Sequence, residues 1–251
     1  VSYPPILLLD DDNSGNNGGS RTETDQYYAN ALDNLTNPIA YDIIRVNSSA
    51  DGPGIDVLSE YQMIIWVCGT DYQSGDTDVT FTDNDKTNVA EYLEGGGAMW
   101  VIGMDILYDF DTSDGDRSSG DFEYDYLGVS YADNDRATPA VVYGVDDDPI
   151  SDGIEYNADA ISSDFADDVN PRSGFEKVLS SNGDYNISTI RTEDEFKLVF
   201  MTIDFSSITS SDDRDEFMEN VVEYLVEQLE NDVSLSRFNN PKDEETVEPN
   251  V

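Results

Sequence analysis

Histidine is absent from this 251-residue chain, and cysteine occurs once, at position 68. The first absence removes the usual general base at neutral pH and so excludes a Ser-His or Cys-His nucleophilic enzyme. The second rules out an internal disulfide, and it neither demands nor forbids an oxidising compartment. Basic residues are scarce too: 12 lysines and arginines stand against 55 aspartates and glutamates, and the formal charge is -43. A body of that sign repels nucleic acid and anionic membrane alike, so neither is expected as a partner. No apolar run approaches the ~20 residues that cross a bilayer, so no membrane insertion is expected. No signal peptide precedes Val1, which reads as a mature or trimmed end.

What is present is enough to fold. Hydrophobic residues make up 38% of the chain, which supplies a real core for a domain of this length. The aspartates are spread through the loops and onto helix faces, so the acidity does not belong to one tail. Such a charge opposes compaction unless cations screen it or bind within it. A surface adapted to high ionic strength is the expectation, with some acidic loops serving as divalent-cation sites. Three N-x-S/T triplets, at Asn34, Asn47 and Asn186, are compatible with export, and the expected place of work is extracellular or at the cell surface.

Along the chain, strand and helix signals alternate. Ile6 to Leu9 is a continuous apolar run that ends at once in Asp10-Asp11-Asp12 and a Gly/Asn/Ser-rich stretch, the pattern of a buried parallel strand. Tyr27, Tyr28, Ala31, Leu32 and Leu35 then recur at helical spacing, with Thr22 or Thr24 available as a cap. Tyr41 to Val46, Met63 to Cys68 and Ala98 to Gly103 read as further strands, and Asp83 to Leu93 as a helix with an aspartate cap, closed by Gly95-Gly96-Gly97. Lys197 to Ile203 is a strand and Asp213 to Leu229 an amphipathic helix. The order predicts an α/β fold with a doubly wound, mostly parallel sheet in a single domain over 1–238. Between about 105 and 195 the pattern weakens into a long irregular Asp-rich insertion packed on one edge, and 239–251 reads as a charged tail or linker.

Ligands of open parallel sheets collect beyond the carboxyl ends of the strands. Here those ends carry Asp10 and Asp12, Asp71 and Tyr72, and Asp105, which are the candidate ligand-binding residues. The phrases LLLDDDNSGNNGG, MIIWVCGTDY, YLEGGGAMWVIGMDILYD and KLVFMTIDFSSI resemble the class I glutamine amidotransferase-like (flavodoxin-like) fold, in particular its secreted, non-amidotransferase relatives. In catalytic members of that family the turn after the glycine-rich strand bears the nucleophilic cysteine, and a histidine follows late in the chain. The corresponding turn here is Gly103-Met104-Asp105. The resemblance therefore implies the scaffold without the glutaminase. Cys68 closes a buried apolar strand, where little of a thiol is present as the reactive thiolate, and it is read as structural.

Calcium takes six to eight oxygen ligands from loops rich in Asp, Asn and Gly. Asp109, Asp111, Asp114 and Asp116 gather around a glycine turn and form the candidate calcium loop, although no EF-hand pattern is met. Fifteen tyrosines add candidate contact surface. The combined expectation is a non-catalytic, calcium-stabilised extracellular scaffold or ligand-binding module, with other protein domains or copies of itself as partners. Two alternatives remain open: a self-assembling subunit of a filament or surface layer, and a carboxylate hydrolase using Asp105 with Asp10 or Asp71.

Overall fold

The computed structural model describes residues 5–15, 23–47, 50–69, 81–104, 106–111, 113–136, 140–159, 166–182, 185–192 and 196–231. Its first half alternates as the sequence predicts: β1 (Ile6–Asp10), α1 (Asp25–Asp33), β2 (Tyr41–Arg45), α2 (Ile55–Leu58), β3 (Met63–Gly69), α3 (Asp83–Glu94) and β4 (Ala98–Gly103). With β12 (Lys197–Met201), the strands run parallel in the order β2-β1-β3-β4-β12. The order reverses between β1 and β3, which makes their carboxyl ends the topological switch point.

β1, β3 and β4 are buried at every position because both faces of the sheet are covered. The two-residue period of a strand sorts their side chains into two cores. Ile6, Leu8, Met63, Ile65 and Trp100 face α1 and α6 (Ser211–Asn231), meeting Tyr28, Leu32, Phe217 and Val221. Leu7, Leu9, Ile64, Trp66 and Met99 face the opposite way, where they meet Leu58 of α2 and Val89 and Leu93 of α3. The cap of α3 differs in detail from the expectation. Thr82, not an aspartate, holds the N-cap, accepting from the Asp85 N–H at 3.2 Å while the Asp85 carboxylate accepts from the Thr82 N–H at 2.9 Å. After α3, Gly97 is required by packing, since a Cβ there would stand 2.3 Å from the Tyr92 ring.

The stretch between β4 and β12 holds more regular structure than its sequence suggests. It contains α4 (Ile106–Phe110), β5 (Gly115–Asp116), α5 (Phe122–Asp125), β6 (Val129–Arg136), β7 (Val141–Tyr143), β8 (Glu155–Asn157), β9 (Ala166–Pro171), β10 (Phe175–Asn182) and β11 (Tyr185–Thr192). β11, β10, β7 and β8 continue the main sheet beyond β12 with antiparallel pairing, giving nine strands, and β5, β6 and β9 form a second sheet. Antiparallel strands tolerate a polar side. ADDVNP and YNISTIRT are strands whose serines, threonines and acids mask the apolar alternation.

A buried ion pair joins two parts of this extension, β11 and the turn before β8. Arg191 on β11 donates to Asp148 at 2.7 Å, and their side chains are only 11% and 3% exposed. The other Asp148 oxygen accepts from the N–H groups of Ile150 (3.0 Å) and Ser151 (3.1 Å), closing the turn before β8. The Tyr224 ring of α6 lies 5.4 Å from the Arg191 guanidinium. Removing one partner of such a pair leaves a buried charge uncompensated. Arg191→Met is expected to cost about 3 kcal/mol or more in urea unfolding; a change within experimental error would show that the pair does not hold the parts of the extension together.

Candidate carboxylate site at the sheet edge

Three consecutive aspartates leave β1, and the alternation of the chain sends them to three tasks. Asp10 closes the strand beside Arg45, its register partner on β2, and the Arg45 Nε lies 3.2 Å from the Asp10 Oδ2. Asp11 turns to the α3 side of the sheet, where its Oδ2 accepts from the Trp66 indole N–H at 3.0 Å. Asp12 closes the connection to α1: one oxygen accepts from the Ser14 N–H at 2.9 Å, the other from the Thr24 N–H at 2.9 Å and its hydroxyl at 3.2 Å. Thr24 is thus the N-cap residue of α1 by position while its hydroxyl serves Asp12 and makes no cap bond. Gly69, at φ 64, ends β3 against this turn, and a Cβ there would stand 2.6 Å from that of Asp12. A side chain at position 69 would both strain the backbone and push the loop aside.

Glu23, just before the N-cap of α1, and Asp25, in its first turn, bring two more acids over the same edge. Asp10, Glu23 and Asp25 each offer an oxygen, and these lie within 4.8 Å of one another, the one such trio of acidic ligand groups among the described residues. Arg45 also reaches Asp25, at 2.5 Å, so among the described residues a single guanidinium stands against three carboxylates. That crowding is visible in the protonation equilibria. Glu23 is raised above its usual range by partial burial, then by its contact with Asp25 and the charge of Asp12, although Ser14 donates to it at 3.1 Å. Arg45 is raised above its own range, first by the hydrogen bond to Asp25.

Asp204, just past β12, lies behind this edge and is buried. One oxygen accepts from the Ser206 N–H at 2.8 Å and from its hydroxyl; the other accepts from the Tyr28 hydroxyl at 3.4 Å. Burial pushes its carboxyl from 3.8 up to about 6, and the charge of Asp12 adds to the shift against the donors. The Tyr28 hydroxyl, equally enclosed, is raised well above its usual range, by burial first and then by the charge of Asp204.

The other predicted site residues fall differently. Asp71, Tyr72 and Asp105 lie outside the described residues. Asp109 is half-buried and Asp111, Asp114 and Asp116 are exposed, and the four form no grouping of the kind made by Asp10, Glu23 and Asp25. The loop is organised around Arg117 instead, which is 6% exposed. Its guanidinium donates to the carbonyls of Ser113 (2.9 Å) and Gly115 (3.3 Å), and it lies 3.0 Å from Glu123 and 3.8 Å from Asp111. Cys68 is fully buried, with Gly103 so close that a Cβ there would stand 2.5 Å from its own.

Sequence reasoning passed over Glu23, Asp25 and Arg45 as site residues. A signal existed, because the first turn of the helix after β1 must return over the carboxyl end of that strand. An arginine ending the neighbouring strand is also conspicuous in a chain with 12 basic residues.

Strand order and helices on both faces of the sheet define a flavodoxin-like α/β fold. No family model and no curated protein sequence matches the chain. Solved structures do. A β-galactosidase from Bacillus circulans sp. alkalophilus is 14% identical with a TM-score of 0.55 over 91% of this chain, which spans 31% of that protein's length. A protein from Thermoplasma acidophilum described as one of the subunits of GMP synthase is 11% identical, with a TM-score of 0.56 over 91% of this chain and 97% of the other. A protein from Bacteroides uniformis described as ThuA-like is 12% identical, with a TM-score of 0.53 over 90% of this chain and 93% of its own. At these identities the likeness establishes the fold.

Asp204 makes stability depend on pH in a defined direction. Its folded-state affinity for a proton exceeds that of the unfolded chain, so its contribution is lost as pH rises from 3.8 towards 6 and is level on either side. Asp204→Asn removes that loss. Relative to wild type, the variant should gain up to roughly 3 kcal/mol across the window, read from urea midpoints. Parallel curves for the two proteins would show that Asp204 ionises as freely folded as unfolded.

Proposed function

We propose that this chain is a non-catalytic scaffold or ligand-binding module of a secreted or surface protein, adapted to high salt and stabilised by a divalent cation at the carboxyl edge of its sheet. The observation that carries the reading is the trio Asp10, Glu23 and Asp25, held within 4.8 Å by β1 and the start of α1 and compensated, among the described residues, by Arg45. Three carboxylate oxygens held this close repel one another, and a dication seated among them relieves that repulsion. Oxygen donors of this type suit calcium or magnesium rather than a thiophilic metal. This moves the cation from the Asp109 to Asp116 loop, whose centre holds Arg117, to the switch point of the sheet.

The non-catalytic part rests on the same edge. It offers carboxylates and hydroxyls, while the chain has no histidine and its cysteine is buried, so the nucleophile and base of an amidotransferase are both missing. Two carboxylates there are already committed to structure: Asp12 closes the loop, and Asp204 is bonded to Ser206 and Tyr28. The module reading is supported by the β-galactosidase neighbour, in which a like-folded part takes up 31% of the chain.

A cation bound only to the folded state raises stability by mass action, about 2.7 kcal/mol when its concentration is ~100 times Kd. Millimolar calcium is therefore expected to raise the melting temperature well beyond sodium chloride of equal ionic strength, and Glu23→Gln is expected to abolish the difference while leaving the sodium effect intact. Equal shifts with the two salts in the wild-type chain would remove the specific-site reading.

A further inference from the structure

β2 is the terminal strand on its side of the nine-stranded sheet, and among the described residues no strand pairs with its outer edge. Open edges of this kind are normally guarded by charges or proline. Here both charges on the strand already have partners within the chain: Arg45, its side chain 44% exposed, is engaged by Asp10 and Asp25, and Asp42 accepts from the Tyr61 hydroxyl at 3.1 Å. What the edge presents is Ile43, 38% exposed and the exposed large hydrophobic residue of the described chain. Tyr41, Ile43 and Arg45 share one face by the two-residue period, and the Tyr41 hydroxyl donates to Asp33 at 3.0 Å.

This five-residue pattern is complementary to itself. In an antiparallel pairing about a two-fold axis at Ile43, the isoleucines of two copies stand opposite one another. Tyr41 with its bonded Asp33 then faces the second copy's Arg45, so each end of the contact sets a cation against an aromatic face and a carboxylate. The opposing force is long-range repulsion between two bodies of formal charge -43 each. Its reach is about 10 Å in 0.1 M salt and about 3 Å in 1 M. The contact is short-range and the repulsion is not, so salt decides between them.

We propose that β2 is a homodimer interface, pairing edge to edge with β2 of a second copy in concentrated salt and separating in dilute salt. The inference stands apart from the cation reading, since it needs no divalent ion.

Sedimentation velocity of the full chain with calcium chelated, at ~0.1 M and ~1 M potassium chloride, tests it. The expected result is a monomer in dilute salt and a concentration-dependent doubling of mass in concentrated salt. Ile43→Lys is expected to restore the monomer and Ile43→Val to keep the dimer, with unchanged circular dichroism for both, because position 43 is partly exposed. The lysine lowers the net negative charge, so loss of the dimer in that variant cannot come from added repulsion between the acidic bodies. A monomer at both salt concentrations, or a dimer that survives Ile43→Lys, overturns the proposal. Amide exchange at 41–45 separates the occupants of the edge. Protection that grows with protein concentration supports a second copy; protection independent of concentration means that the chain covers its own edge, which also overturns it.

Discussion

A carboxylate can be enclosed in a protein only where donors or a cation surround it, and in a chain of net charge -43 that requirement shapes the architecture. Two solutions recur. Where a loop can supply N–H groups and hydroxyls, the acid is held by hydrogen bonds: Asp12 by Ser14 and Thr24, Asp85 by Thr82 and Gly52, Asp204 by Ser206 and Tyr28. Where it cannot, an arginine is placed against it. Arg45 serves the carboxyl edge, Arg117 the loop before β6, and Arg191 the turn before β8 within the antiparallel extension. These basic residues are thus used as internal counter-ions, while the surplus of acids is left to solvent and salt.

The two halves of the sheet use this chemistry differently. The parallel half is hydrophobic through its thickness, and its polar groups are concentrated where the strands stop, at Asp10 and Asp204. The antiparallel half carries polar side chains along its strands and depends on point attachments such as Asp148 with Arg191. A ligand site built on the first half is therefore rigidly supported by β1 and β3. The second half widens the sheet without adding acidic groups to the Asp10, Glu23 and Asp25 trio.

The carboxyl edge also defines what this scaffold lacks. The architecture brings loops together at the switch point, and in this chain the described ones deliver carboxylate oxygens there. Under the proposed function such an edge takes a hard cation. The chain has no imidazole to place there, and the carboxyl raised to about 6, Asp204, is enclosed behind the strand ends.

The strands β1, β3, β4 and β12, the helices between them and the place of Asp10 and Asp12 at the strand end were legible in the sequence, because continuous apolar runs and helical spacing are local properties of the chain. Asp25, Glu23 and Arg45 belong to that site only because β2 lies beside β1 and α1 returns over it, a meeting of residues from three separate elements that no local pattern encodes. The same limit hid the Asp109 to Asp116 loop's dependence on Arg117, since four acids around a glycine look alike whether they face a calcium ion or a guanidinium. It hid the antiparallel strands as well, whose polar side masks their period. Composition alone determined that this protein must manage surplus negative charge; tertiary structure decided which carboxylates are enclosed and what neutralises each one, because an electrostatic partner is chosen by distance in space and not along the chain.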